Sequence, residues 1–263
     1  MHLYPRALLV LLGLLVASGA AAQGFAAQVS PPRFEESAKA GTTFRNVLEI
    51  TNDSDQAARF NFRTADWSLD ADGTAAFAYE LAPGSCRPWV GIEAAQIQVP
   101  ANGRRRYRFE VAVPADAPSG QCRFAIMIEG DPTALPEGGL QVAGRIGVIV
   151  YLTIGDGAPV LTYLGTRVAS VNGRDLPLVS VRNSGNAHAR LGGFLDAIDG
   201  NGKRITVSPS ADPILPGATR EIALLPLGDG PNAAEPVLVF PLRIKGRLEA
   251  PPLRLDIDAE VAK

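Results

Sequence analysis

The chain has 263 residues, with 25 Lys and Arg against 27 Asp and Glu, a formal charge of −2, and 46% hydrophobic residues. A near-neutral, slightly acidic balance offers no electrostatic footprint for nucleic acid or anionic lipid. The 27 Gly and 21 Pro are scattered along the whole length, so no window long enough for a stable helix escapes a breaker, and the chain reads as all-β.

The N-terminus reads as an export signal. Arg6 supplies the positive start, residues 7–16 form a short apolar run, and Ala20-Ala21-Ala22 offers small residues for cleavage after Ala22. The run is too short for a membrane span of about 20 residues, and no later segment is longer, so no membrane insertion is expected. Arg6 is the one charged side chain in residues 1–22, so the exported chain is one unit more negative.

Short β-rich runs between turn clusters predict strands over 44–51, 58–65, 96–99, 107–113, 122–128 and 140–154. After Gly155-Asp156-Gly157 the rhythm restarts over 160–168, 176–181, 189–198, 220–225, 237–244 and 253–261. The chain also repeats once. VLEITNDSDQAARF from Val47 matches LVSVRNSGNAHARL from Leu178, and VPANGRRRYRFEVAVP from Val99 matches ILPGATREIALLPL from Ile214. Two tandem copies of one sandwich are implied, 23–155 and 156–263, joined by a short linker at 155–159 that holds a cleft between them.

Residues 140–154, LQVAGRIGVIVYLTI, change character midway. Leu140, Val142 and Ile146 alternate around Gly144 as in a strand with one apolar face, whereas 146–154 is nearly continuous Ile, Val and Leu. Arg145 marks the change. The first half is suited to offering apolar side chains and backbone hydrogen bonds to another chain while the second half anchors it.

Other chemistry is sparse. Cys86 and Cys122, an even count in an exported chain, favour a disulfide over a reactive thiol. After removal of 1–22 the one histidine is His188, expected as an exposed strand-end residue; it completes neither a metal cluster nor a Ser-His-Asp set. Asp70-Ala71-Asp72-Gly73 fits a hairpin turn better than a calcium loop. Arg104-Arg105-Arg106 fits a solvated strand edge, and Trp67 and Trp89 are expected to pack inside the first sandwich. Neither an enzyme nor a cofactor is indicated, and no metal site.

The ordered set SPPRFE (from Ser30), ITND (ending at Asp53), Asp66-Trp67, Pro88-Trp89, VPANGRRRYRFEVAVPADAPSGQCRFAIMIEG and RIGVIVYLTIGD resembles the periplasmic pilus-assembly chaperones, the PapD-like family. The resemblance implies two immunoglobulin-like sandwiches in an L shape, a periplasmic location, and a holdase that lends a strand to pilus or fimbrial subunits before an outer-membrane usher takes them. PapD-like sandwiches and chaperone–pilin strand donation are standard examples of this architecture and recognition mode. The lending residues would be Leu140, Val142, Gly144 and Ile146. Family members bind the subunit's C-terminal carboxylate with two bases in the cleft, but Pro31 and Gly147 stand at those positions here. Arg33 and Arg145, each two residues away and so on the same strand faces, are the expected substitute anchors, as a pair or with Arg145 alone; the alternative is that they are plain surface arginines. A structural envelope or surface protein with no folding client is the competing reading, separated by whether the leading edge of 140–146 lies open.

Overall fold

The computed structural model describes residues 27–70, 73–131, 143–228, 230 and 233–263. The expected export signal, residues 1–22, together with Leu140 and Val142, lies outside them. The described chain is all-β apart from one 3₁₀ turn, Arg87–Trp89. None of its helices is long and apolar enough to cross a membrane.

The first sandwich has two sheets. One holds β1 (Ala27–Ser30), β3 (Thr43–Asn52), β8 (Arg104–Ala112) and β6 (Val90–Ile92), in the order β1-β3-β8-β6. The other runs β2 (Arg33–Ala38), β10 (Arg145–Ile154), β9 (Gly120–Gly130), β4 (Ala58–Leu69), β5 (Ala75–Ala78), with β7 (Gln96–Val99) also on β4. Their inner faces alternate as expected: Tyr107, Phe109 and Val111 of β8 meet Phe124, Ile126 and Ile128 of β9 and Val148, Val150 and Leu152 of β10 in one dry core. Phe62 stacks on Tyr107 at 3.9 Å, and Phe34 meets Phe109 edge-on at 5.2 Å. The Cys86–Cys122 disulfide is formed and lies in this core.

The second sandwich is one continuous ladder: β11 (Leu161–Val171), β12 (Arg174–Asn183), β15 (Thr219–Pro226), β14 (Arg204–Pro209), β13 (Leu195–Ile198), β16 (Leu242–Ala250) and β17 (Leu253–Val261). It folds over at β15, whose residues 219–223 pair with β12 while 224–226 pair with β14. Val179, Ile222, Leu224, Ile244 and Leu248 fill its core.

Several boundaries differ from the sequence reading. The strand expected over 189–198 begins at Leu195, because 189–194 makes only isolated bridges, Ala189 to Ile214 and Gly192 to Glu249. That expected over 237–244 begins at Leu242: Val237 is 85% exposed, and Pro241 has no N–H to give a ladder. Strands β1, β2, β5, β6 and β14 were not anticipated; all five are six residues or fewer, where alternation is too short to register. The hairpin after β4 is present, with Asp70 N–H donating to Thr74 O at 2.9 Å and Gly73 at φ +93°. Arg104, Arg105 and Arg106 are exposed at the start of β8, Arg104 facing Glu49 and Arg105 facing Glu93. Trp89 packs against the main core, but Trp67 does not: it lies on the outer face of the β2-β10-β9-β4-β5 sheet with Ala65, Ala125, Met127 and Tyr151.

Candidate functional site: an open strand edge beside the interdomain cleft

The site begins with two prolines. β1 pairs with β3 in one sheet, the chain passes Pro31 and Pro32, and β2 then pairs with β10 in the other. Neither proline can donate a ladder hydrogen bond, so pairing against β10 starts only at Arg33, opposite Ile149. On its other side β10 is paired along its whole length, from Arg145 opposite Glu129 to Ile154 opposite Gly120. Residues 145–148 therefore have one strand neighbour among the described residues and one free edge. Such an edge is a template for another strand.

The two faces of β10 differ by the period of two. Val148, Val150, Leu152 and Ile154 enter the core, and half-buried Ile146 packs against the same core at its rim. Gly144 precedes the strand, its carbonyl accepting from Gly130 N–H at 3.1 Å. Arg145, Gly147, Ile149 and Tyr151 lie on the opposite, outer face of the sheet, where Tyr151 meets Arg190 and His188 of the second sandwich. A Cβ on Gly147 would lie 2.5 Å from Phe77 Cζ of β5, so the base that the family pattern puts there has no room unless that ring moves.

Arg33 and Arg145 do lie on this outer face, but apart. Arg33 is level with Ile149, four residues or about 13 Å along the strand from Arg145. Each already has an acid. Arg145 Nη1 donates to Tyr79 Oη at 3.0 Å and lies 3.8 Å from Glu129, which Arg63 also grips at 2.8 and 3.1 Å. Burial pulls the Glu129 carboxyl up, yet Arg63 and the Tyr79 hydroxyl outweigh it and hold its pKa below the ordinary value. Two arginines thus share one carboxylate next to the free edge, leaving one positive charge over. Arg33 Nε meets Glu35 at 2.6 Å.

Glu35 is also the centre of the domain junction, which the sequence reading missed. Arg190 of the second sandwich donates to Glu35 at 3.1 Å and to Tyr151 Oη at 3.2 Å. His188 corrects the expectation of an exposed strand-end residue: its side chain is 10% exposed, and its ring stacks on Tyr151 at 3.9 Å. Gln121 holds the residue twice, accepting from the His188 backbone N–H at 3.2 Å and donating to ring Nδ1 at 2.8 Å. That leaves the Nε2 proton turned to Glu35, 3.5 Å away. Burial, with Arg190 nearby, lowers the His188 pKa to about 4 despite Glu35, so the ring is neutral at pH 7. Glu35 is itself held below its ordinary value: burial opposes ionisation, but the Arg190 hydrogen bond and surrounding positive charge prevail. Asn186 Nδ2 to Ser119 O (2.9 Å) and Arg220 Nη1 to Asp70 O (3.0 Å) add further ties between the sandwiches. At the linker a Cβ on Gly157 would meet Gly120 O at 2.6 Å, so the close approach of the two backbones requires glycine there. The weak signal for this junction was in the repeat, where His188 stands opposite Ala57 and so departs from the common pattern.

No protein-family model matches the chain, and no curated protein sequence matches it. Solved structures do. The YadV chaperone aligns over 89% of this chain and 99% of its own at 10% identity, with a TM-score of 0.48. A chain of the Salmonella enterica SafA pilin–SafB chaperone complex aligns over 91% and 99% at 14% identity, TM-score 0.48. A chain of the CsuC–CsuE chaperone–tip subunit complex of Acinetobacter baumannii aligns over 90% and 99% at 14% identity, TM-score 0.45. The chain is thus similar, over about nine tenths of its length, to the solved structures of pilus and fimbrial chaperone systems.

Proposed function

We propose that the protein is a non-enzymatic periplasmic chaperone that caps pilus or fimbrial subunits by lending them a strand, before an usher receives them. The observation that carries this reading is the free edge of β10 over 145–148, continuous with the apolar alternation of Leu140, Val142 and Ile146. An extension of β10 toward its N-terminus would set residues 140, 142 and 146 on the face of Val148 and Val150, offering an apolar row and backbone groups together, as strand addition requires. Arg145 stands at the mouth of that edge with the surplus positive charge it shares with Arg63. It is the better-placed partner for a subunit's terminal carboxylate, and Arg33 lies further along the same face. Export with cleavage after Ala22, and domains of 23–155 and 156–263, belong to the same reading.

The test is a periplasmic pull-down of tagged protein beside a Val142→Asp, Ile146→Asp double variant. A small subunit that co-purifies with the wild type and is lost with the folded variant supports strand lending. A partner held equally by both, or none at all, points instead to a structural envelope protein.

A further inference from the structure

Three Asn-Gly steps occur in the chain, Asn102-Gly103, Asn172-Gly173 and Asn201-Gly202, and each is followed by a cation, Arg104, Arg174 or Lys203. Their local chemistry is therefore the same. With no side chain on the glycine, its backbone nitrogen can reach the Asn side-chain carbonyl carbon and close a five-membered imide. What differs is what holds that nitrogen. Gly103 N–H donates to Pro100 O at 3.1 Å, and Gly202 N–H donates to Asp199 O at 2.8 Å. Both turns are also pinned at the asparagine. Asn102 N–H donates to Ser54 O at 2.9 Å, and Asn201 N–H donates to Asp199 Oδ1 at 2.9 Å.

Asn172-Gly173 is the two-residue turn between β11 and β12, closed by the pair Val171 and Arg174. Asn172 at φ +50° and Gly173 at φ +76° are both left-handed, the conformation that matches such a turn to the twist of its strands. The flanking pair makes the cross-strand bonds, so the Gly173 N–H has no carbonyl partner among the described residues. Asn172 and Gly173 are both exposed, and a Cβ built on Gly173 would meet no heavy atom within 4 Å. Neither a hydrogen bond nor a packed neighbour has to be displaced before the nitrogen and the side chain meet.

We infer that Asn172 is a self-modification site, converting through an imide with Gly173 to aspartate and isoaspartate ahead of Asn102 and Asn201. The Gly173 nitrogen gives its proton to solvent base and bonds to Asn172 Cγ, and the side-chain nitrogen leaves as ammonia. Water then opens the imide at one of its two carbonyls. Opening at Cγ leaves aspartate in an unchanged main chain; opening at the main-chain carbonyl routes the chain through Cγ as isoaspartate. Either product adds a negative charge beside Arg174, which already meets Glu235. Isoaspartate also adds a carbon to the main chain of a turn too short to absorb it, and the Val171–Arg174 pair is lost. The site lies in the second sandwich and does not depend on strand lending.

Ageing the purified, folded protein at mildly alkaline pH in heavy-oxygen water, followed by tryptic mass spectrometry, tests it. The peptide Val168–Arg174 should lose ammonia and take up one labelled oxygen about fivefold faster than the peptides carrying Asn102 and Asn201, the cost of releasing one backbone hydrogen bond. In denaturant the three should convert at similar rates, because their local sequences match. Asn172→Gln should leave that peptide unaltered and the other two as in the wild type. Equal rates at all three sites of the folded protein overturn the inference, as does faster loss of Asn102 or Asn201. So does conversion at Asn172 that is seen only in denaturant.

Discussion

Asn52 in the first sandwich and Asn183 in the second sit at matching points of the internal repeat, and both are buried. Asn52 Nδ2 donates to Gln56 O at 2.7 Å and Pro100 O at 2.9 Å, while its Oδ1 accepts from Ser54 N–H. Asn183 Nδ2 donates to Ala187 O at 2.8 Å and Ile214 O at 2.9 Å, while its Oδ1 accepts from Gly185 N–H. The same side chain closes the same corner twice, tying the turn to the apolar-Pro segment downstream. Where the copies part company is at their edges. The second sandwich pairs all seven of its strands in one sheet, with a bulge between Tyr163 and Gly165 and nine residue pairs between β16 and β17. The first breaks its ladder at Pro31 and Pro32, leaves residues 145–148 of β10 with one strand neighbour among the described residues, and carries a covalent tie the second lacks. The shared frame is kept where the backbone must be satisfied, and the copies depart at the edge of β10 and at the disulfide.

That contrast can be broken experimentally. Replacing both Cys86 and Cys122 by Ser should destabilise the first sandwich by about 3–4 kcal/mol, from the freed loop of the unfolded chain, and leave the second alone. Scanning calorimetry should then show one transition falling while the other stays. If both fall together, the sandwiches unfold as one unit and the comparison fails at the level of stability. Asn52→Ala and Asn183→Ala should each cost about 2–3 kcal/mol, because buried carbonyls lose their donors. Denaturant midpoints should shift by similar amounts, each in its own domain; a large effect from one and none from the other would show that the matching corners are not equivalent.

The junction joining the two copies should respond to acid. His188 binds fewer protons folded, with its pKa near 4, than unfolded at 6.5. Its stabilising contribution is therefore complete above about pH 6.5 and is lost as the pH falls toward 4, a change on the order of 3 kcal/mol. Glu35, depressed as well, adds to the loss in the same direction. Melting midpoints across pH 4–7 should slope for the wild type and flatten for His188→Gln; parallel slopes would remove the histidine from the account. The smallest effect belongs to the exposed cations of β8, where Arg105→Ala should change stability by no more than about 0.5 kcal/mol.

Much of the frame was legible from residues alone, and for a local reason. Alternation in β8, the apolar run of 146–154 and the repeated Asn corner are all properties of neighbouring residues, and the strands formed there. The paired cysteines could be matched because two residues allow one bridge. The short strands β1 and β2 were hidden because four to six residues around two prolines carry too little pattern, although the free edge of β10 depends on them. His188 reads as a polar turn residue in its own segment, and only Tyr151, Gln121 and Glu35, brought from three strands of the other sandwich, bury it. Gly147 stands where a base was expected, and the ring that fills its place comes from Phe77, some seventy residues earlier in the chain.

The sequence by itself determined the all-β class, the duplication and the apolar row that leads into β10, because period and turn chemistry act over a few residues. Tertiary structure alone decided which edge stays open, which arginines keep an acid and which does not. Pairing and charge compensation depend on what distant segments bring to the same few ångströms. Arg123 and Arg145 are alike as letters in the chain; Arg145 meets Glu129 at the surface, and Arg123 stands over the Trp67 ring with no ion pair among the described residues.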